Sequence, residues 1–551
     1  MTERIKVSEA VGRTLAHLGA AHVFGVVGSG NFHVTNALLA AGVGFTATRH
    51  EMGAACMADA YARATGRVAV VSVHQGCGFT NALTGVGEAA KCRTPVLVVA
   101  GDTPPTQKMS NFWIDQDAAA RSVGAVAERI HSAETAVADA ARAFSTALLL
   151  RRTVVLSLPI DLQEQPVDFS EADVPELLER IPPAASPDGV RRLAGLLADA
   201  ERPVIVGGRG AWGAVAELRR LAEASGALLT TSAAGRGLFA GDEWHLDVMG
   251  GFSTDGAAEL ISRADLVVAF GASLNRWTTR SGSLLRGARV VQVDDTPEAI
   301  GFHRPVDLGV LGDSAAVAAG VAAELAELAP DGRRGYRTAE TGRAVRASRH
   351  WSEQPFEDRG GDGLIDPRAL TNALDALLPM DRVVVPDGGN FNAYPAMLFR
   401  VPDHLGYCVP LAFQSIGLAL ASGIGAGVAL PERMPVVGVG DGGMMMSLVE
   451  LDTAVRLGLG MVVVVYNDSA YGAEVHHFEH ETDRLGIVEF PETDIAAIAR
   501  GFGCEALTVR AVEDLEPVRA WLSGPRDRPL VIDAKIAAFP SWVLAHTFDG
   551  E

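Results

Sequence analysis

The sequence predicts an α/β protein made of three doubly wound parallel-sheet domains. Short apolar runs rich in β-branched residues recur at 68–73, 96–100, 154–158, 204–206, 266–270, 290–293, 383–385, 436–439 and 461–465. They are continuous rather than alternating, as expected of strands covered on both faces. Helix-like stretches such as 89–93 and 449–457 separate them, so βα units repeat along the chain. The 551 residues suit three domains, at roughly 100–200 residues each.

Two stretches of different composition divide the chain. Residues 180–188 (RIPPAASPD) are Pro-rich, and 330–363 are highly charged and poor in aliphatics. The expected domains are therefore 1–180, 189–330 and 364–551, with 331–363 as a linker. Hydrophobic residues make up 48% and charged residues 21%, an ordinary globular balance that lets each domain bury a core. The net charge of −20 argues against a nucleic-acid-binding surface, which needs clustered Lys and Arg. It also disfavours anionic membranes. A small anionic substrate then needs a local positive site, such as a metal ion. The first ten residues carry charge without an apolar core, and no apolar run is long enough to span a bilayer. Cys56, Cys77, Cys92, Cys408 and Cys504 are scattered without a C-x-x-C pair, which reads as reduced thiols in a cytoplasm.

In the first domain, Arg49-His50-Glu51-Met52 opens a helical pattern. A Glu in a first helical turn is often there only to complement the helix dipole. The strand at 68–73 runs into His74-Gln75-Gly76-Cys77-Gly78-Phe79-Thr80-Asn81, a Gly-rich turn. Taken alone, a single His after a strand is more often structural. In the middle domain, Val204-Ile205-Val206-Gly207-Gly208-Arg209-Gly210 has the look of a dinucleotide loop, a weak signal by itself.

The third domain carries the strongest pattern. The run Val436-Val437-Gly438-Val439-Gly440-Asp441-Gly442-Gly443 takes a strand directly into glycines around one Asp. Ligands of open parallel sheets bind beyond the carboxyl ends of the strands. Glycines there let the backbone approach a phosphate, and a carboxylate supplies the hard oxygen that Mg²⁺ takes. One helical crossover later, a second strand ends in Asn467-Asp468-Ser469-Ala470-Tyr471-Gly472. A crossover of that length returns to a neighbouring parallel strand, so Asp441 and Asp468 are expected at one sheet edge.

With these residues the chain resembles thiamin-diphosphate enzymes of the acetolactate synthase, benzoylformate decarboxylase and pyruvate decarboxylase type. The resemblance covers nearly the whole chain, as pyrimidine-binding, middle and diphosphate-binding domains. It implies thiamin diphosphate and Mg²⁺ as cofactors. Asp441 and Asp468 correspond to side-chain metal ligands and Ala470 to a backbone one. Asp468 departs from the usual Asn, which adds negative charge beside a diphosphate. Gly388, Asn390, Ser415, Gly440, Gly442, Gly443 and Tyr471 fall at cofactor-binding positions, and Ile416 where an apolar residue wedges the cofactor into its V shape. Glu51 corresponds to the carboxyl that hydrogen-bonds the aminopyrimidine, with Gly28 and Asn81 nearby. His74 corresponds to a proton relay, His476 and His477 to a second relay, and Gln116 to a substrate contact. Because the family's Glu serves a cofactor held by a neighbouring chain, a homodimer or homotetramer is implied. Some acetolactate synthases hold FAD in the middle domain; residues 271–280 depart from that pattern, and FAD is on balance not expected. The implied activity is decarboxylation and carboligation of 2-oxo acids, acetolactate synthase-like. The alternatives are a benzoylformate-type decarboxylase without carboligation, a lyase of acyl-CoA or hydroxyketone substrates, and a catalytically idle homologue.

Overall fold

The computed structural model describes residues 2–330 and 332–547. The strands of the first domain are β1 Glu3–Lys6, β2 His22–Gly25, β3 Gly44–Ala47, β4 Ala69–Val73, β5 Val96–Asp102, β6 Val126–Arg129, β7 Val154–Pro159 and β8 Pro166–Phe169. A parallel sheet has the order β3-β2-β4-β5-β7-β6, and β1 pairs antiparallel with β8. Successive residues of the inner strands enter two separate cores. Ala69, Val71 and Val73 pack with one set of helices, and Val68 and Val70 with the other. That double cover is why these strands read as unbroken apolar runs.

The middle domain repeats the plan with β9 Pro203–Gly207, β10 Leu228–Thr231, β11 His245–Val248, β12 Leu266–Phe270, β13 Arg289–Asp294 and β14 Leu308–Leu311, in the order β11-β10-β9-β12-β13-β14. In β12, Leu266, Val268 and Phe270 face one core, and Val267 and Ala269 the other. The third domain has β15 Arg382–Pro386, β16 Met434–Gly440, β17 Val462–Asn467, β18 Glu505–Val509 and β19 Leu530–Lys535, in the parallel order β15-β16-β17-β19-β18. The three doubly wound sheets match the fold class read from the sequence. Among the described residues no helix is long and apolar enough to cross a membrane.

The first and third domains are not independent bodies. One apolar core runs through both, from Ala54, Met57 and Tyr61 to Leu420, Ile424, Val437 and Val463. Its seam is the contact of helix Glu51–Thr65 with helix Ala419–Ala429. At Gly425 the crossing is so close that a Cβ would lie 2.2 Å from the Met57 carbonyl oxygen. Beside the seam, buried Glu88 accepts from Arg63 at 2.8 Å and from the backbone N–H groups of Ala412 and Phe413 at 3.1 and 2.7 Å. The buried carboxylate is paired and hydrogen-bonded on all sides, which its burial requires.

The stretch 331–363 is more structured than its composition suggests. It contains the helix Ala339–Ser348, capped by Thr338, whose hydroxyl accepts from Thr341 N–H at 3.1 Å. Val345 and Tyr336 enter the middle domain's core, and the Tyr336 hydroxyl donates to the Leu260 carbonyl at 2.8 Å. The helix turns only Val345 inward among its larger apolar residues, beside the small or polar Thr341, Gly342 and Ser348, so its sequence shows no apolar stripe.

Candidate active site

The structure builds two half-sites. The first lies at the carboxyl ends of β2 and β4, where the strand order of the first sheet reverses, the usual crevice for ligands in such sheets. Fully buried Asn31 ties the turn after β2: it accepts from Gly28 N–H at 2.8 Å and donates to the Val26 carbonyl at 3.1 Å and to the Ser72 hydroxyl at 2.9 Å. A side chain at Gly28 would meet the His74 ring at 2.6 Å, so the bare backbone makes room for the imidazole. His74 lies 3.3 Å from the Ser29 hydroxyl through Nε2 and 3.0 Å from the Gln75 carbonyl through Nδ1, with Phe112 against its ring. Glu51 is the first residue of helix Glu51–Thr65, and Asn81 Nδ2 donates to its Oε2 at 3.0 Å. Gly78 separates Glu51 from His74: a Cβ there would be 3.0 Å from His74 Cβ and 3.3 Å from Glu51 Oε1. Glu51, His74, Asn81 and Gly28 are thus brought together.

Gln116 has a different place from the one its sequence position suggested. It is 1% exposed, accepts from Gly76 N–H at 3.0 Å, and donates to the Gly101 carbonyl at 3.1 Å and to the Ser157 hydroxyl at 3.4 Å. Its amide is spent on holding the turn after β4 and leaves no group for a substrate.

The second half-site is a cavity of about 810 Å³ at the carboxyl ends of β15, β16 and β17. Gly388, Asn390, Ile416, Gly440, Asp441, Gly442, Gly443, Asp468, Ala470, Tyr471 and His477 all line it. Asp441 and Asp468 follow the adjacent strands β16 and β17, whose register pairs Gly440 with Tyr466. Burial pushes the Asp441 carboxyl up to about 6. Burial and then the charge of Asp441 push Asp468 up to about 7. The Asp441 Oδ1 is buried with no hydrogen-bond partner among the described residues. Two desolvated carboxyls side by side repel as anions, and either a shared proton or a cation between them relieves that repulsion. Ser469, between Asp468 and Ala470, has φ 57°, a left-handed conformation costly for a side-chain-bearing residue. Asn467 holds it there, accepting from Ser469 N–H at 3.1 Å while donating to Asp533 at 2.8 Å.

The walls leave room for a phosphate. A Cβ on Gly443 would come within 2.5 Å of Asp387 Oδ2, and one on Gly442 within 2.5 Å of the Tyr471 ring. Hard oxygens, an orphaned buried carboxylate oxygen and bare backbone fit a divalent cation with a diphosphate. Asp387 is fully buried, with its carboxyl pushed up to about 6 by burial, and accepts from the N–H groups of Gly417 and Leu418 at 2.6 and 3.3 Å. It thereby fixes the turn that presents half-buried Ile416 to the cavity.

Some expected contacts differ here too. Asn390 reaches the cavity, but its amide donates to the Phe539 carbonyl at 2.9 Å and accepts from Ser541 N–H at 2.8 Å, fastening the C-terminal segment. Ser415 turns its hydroxyl to the Ile416 carbonyl at 3.2 Å and does not line the cavity. The two histidines separate: His477 faces the cavity, whereas His476 borders a different pocket with Glu489 and Phe490 and lies 3.4 Å from Glu479. The sequence reading passed over Glu450 and Glu474, of which Glu474 lines the cavity. Asp387 stands directly before Gly388 in the run Asp387-Gly388-Gly389-Asn390, which matches family positions in the sequence. Neither Glu51, His74 nor Asn81 lines the cavity, so one chain does not join its two half-sites.

Known proteins resemble the chain along most of its length. The N-terminal TPP binding domain of thiamine pyrophosphate enzymes matches residues 5–119, their central domain 190–321 and their C-terminal TPP binding domain 387–534. A probable 2-ketoarginine decarboxylase of Pseudomonas aeruginosa is 30% identical over 93% of this chain and 91% of its own. A sulfoacetaldehyde acetyltransferase of Castellaniella defragrans is 29% identical over 93% of this chain and 89% of its own. An acetolactate synthase large subunit of Parasynechococcus marenigrum is 28% identical over 89% of this chain and 80% of its own. With all three domains present in order, the chain belongs to the thiamine pyrophosphate enzymes and is a thiamin-diphosphate-dependent lyase or transferase.

Proposed function

We propose that the enzyme is a Mg²⁺-dependent decarboxylase/carboligase of 2-oxo acids, assembled as a homodimer or homotetramer in the cytoplasm. Two complementary, separately incomplete half-sites carry this reading: the Glu51–Asn81–His74 group and the Asp441–Asp468 cavity. A second copy supplies to each cavity the carboxylate that its own chain directs elsewhere. All five cysteines are free, which suits a reducing compartment.

Thiamin diphosphate, when bound, supplies the electron sink for breaking the bond beside a carbonyl. The protein's residues do the rest. Asp441, Asp468 and the Ala470 carbonyl hold Mg²⁺, and the bare backbone at Gly442 and Gly443 lets the diphosphate approach. Ile416 supports the cofactor from the cavity wall. Glu51 shares a proton with the aminopyrimidine, a task that needs a carboxyl rather than an amide. Asn81, donating to Oε2, leaves Oε1 free for that proton. His74, next to Glu51 across Gly78, holds a proton that it can deliver to the reacting carbon. No step uses a flavin.

The placing of His74 favours a second reading, protonation and aldehyde release without carboligation. Incubation with Mg²⁺, thiamin diphosphate and a panel of 2-oxo acids, with CO₂ measured and products weighed by mass spectrometry, decides between them. CO₂ with a longer hydroxyketone supports carboligation, and CO₂ with an aldehyde supports the decarboxylase. If no acid yields CO₂, the 2-oxo acid reading falls, and acyl transfer, as in the relatives named acetyltransferases, takes its place.

A further inference from the structure

The stretch before Glu51 is held from the third domain of the same chain. Glu450 is 1% exposed, and its Oε1 accepts from the N–H groups of Arg49 and His50 at 3.1 and 2.9 Å. Its Oε2 accepts from the Thr453 hydroxyl at 2.6 Å. Asp452 accepts from Arg49 Nε at 2.6 Å, and Arg456 donates to the Ala47 carbonyl at 2.6 Å. The contact leaves no slack, since a Cβ on Gly53 would come within 2.4 Å of Glu450 Oε1.

Glu450 stands on a continuous helical stretch. Helix Asp441–Ser447 passes into the turn Leu448–Glu450 and then into helix Leu451–Arg456. Buried Met444, Ser447, Leu451 and Ala454 anchor it. One end of this stretch carries the cavity carboxylate Asp441, and the other holds the residues leading into Glu51. Paired atoms on a packed helical stretch transmit displacement, because a close-packed interior cannot absorb it.

We infer that Glu450 is a positioning residue for Glu51, and that through it a cation held by Asp441 orders the Glu51 turn of the same chain. This rests on the roles given above to Glu51 and Asp441. In an assembly whose cavities are completed by a second copy, filling one cavity then prepares the carboxylate that serves the other.

Two readouts test this. Amide hydrogen exchange across residues 46–54 is measured in the cofactor-free protein and after loading with Mg²⁺ and thiamin diphosphate. Exchange of the cofactor's C2 hydrogen is measured in the loaded protein. Loading is expected to slow amide exchange at Arg49 and His50. Glu450→Ala is expected to speed that exchange about tenfold, the worth of a lost buried hydrogen bond, and to abolish the effect of loading. It also slows C2 exchange about tenfold or more. Glu450→Gln keeps an oxygen for both N–H donors and restores both readouts to within a few-fold. Thr453→Val, a milder change, moves both in the same direction as Glu450→Ala. Glu51→Gln serves as control: it slows C2 exchange and leaves the amides unchanged. Wild-type C2 exchange in Glu450→Ala, or identical amide protection with and without Mg²⁺ and cofactor, overturns the inference. If Glu51→Gln itself exchanges C2 at the wild-type rate, the role of Glu51 falls, and the positioning inference with it.

Discussion

Asp441 and Asp468 share a cavity, and both carboxyls are raised, chiefly by burial, to about 6 and about 7. Their contribution to the cofactor-free protein has a definite sign. A carboxyl whose folded pKa lies above its unfolded value stabilises the fold at low pH and loses that contribution as pH rises through the folded value. From this pair the loss begins as pH rises past the unfolded value of about 4 and is complete above about 7. Asp468→Asn is expected to flatten that decline, measured as melting temperature against pH, while its carbonyl oxygen still ligates Mg²⁺. An unchanged profile in the variant would show that the pair is compensated in some other way. His74 has a kinetic consequence. His74→Ala is expected to slow proton delivery by about 10²-fold and, if a second carbonyl compound is supplied, to shift product towards the hydroxyketone; an unchanged product ratio removes its relay role. At this scale the sequence was informative where chemistry lies close along the chain. Asp441, Asp468 and Ala470 fall on one cavity because two strand ends adjoin, which the crossover length already implied. Gln116 and Ser415 lie away from the cavity because their partners, Gly76 and Ile416, are settled by tertiary packing or by a local rotamer that motif spacing does not encode, whereas Asn390 reaches the cavity as expected but spends its amide on Phe539 and Ser541.

Among the elements, the strands predicted from composition are those buried on both faces. β1, β2, β3, β6, β8, β10, β11 and β14 were not foreseen, each having only four residues, too few to show a period; nor were β18 and β19, whose runs are interrupted by Glu505 and Thr508 and by Asp533 and Lys535. The helix Ala339–Ser348 was hidden because the face it buries is made of Thr341, Gly342, Val345 and Ser348, which leaves no apolar stripe to read. The crossing of helix Glu51–Thr65 with helix Ala419–Ala429 depends on the missing side chain at Gly425. Gly425→Val forces the helices apart and is expected to destabilise the protein by about 1–3 kcal/mol, seen as a lower urea midpoint. A midpoint equal to wild type would mean that the seam yields more easily than a packed core does. The same variant is expected to weaken turnover further, because the displaced helix begins with Glu51.

For the whole molecule, two half-sites that the cavity does not join within one chain call for a second copy. Apolar side chains stand exposed near both. Val27, Phe112 and Trp113 flank the first, and Met445, Met446 and Val449 lie on the stretch that follows Asp441. Exposed clusters of this kind mark association surfaces. Met446→Asp is expected to yield monomers in sedimentation and to abolish turnover, while secondary structure by circular dichroism stays unchanged. A monomeric variant with full activity would reject the shared-site reading. The three-layer plan of each domain was legible from patterning alone, whereas the seam between the first and third domains was not, because contacts so distant along the chain leave no periodic trace.

That seam has a consequence for the protein's birth. During synthesis the apolar face of helix Glu51–Thr65 leaves the ribosome long before helix Ala419–Ala429, its partner, has been translated. At about 5–20 residues per second the interval lasts on the order of tens of seconds. Through that time the nascent first domain shows a sticky surface that only the end of its own chain can close, so its newly made copies are natural clients for chaperones that shield apolar helices.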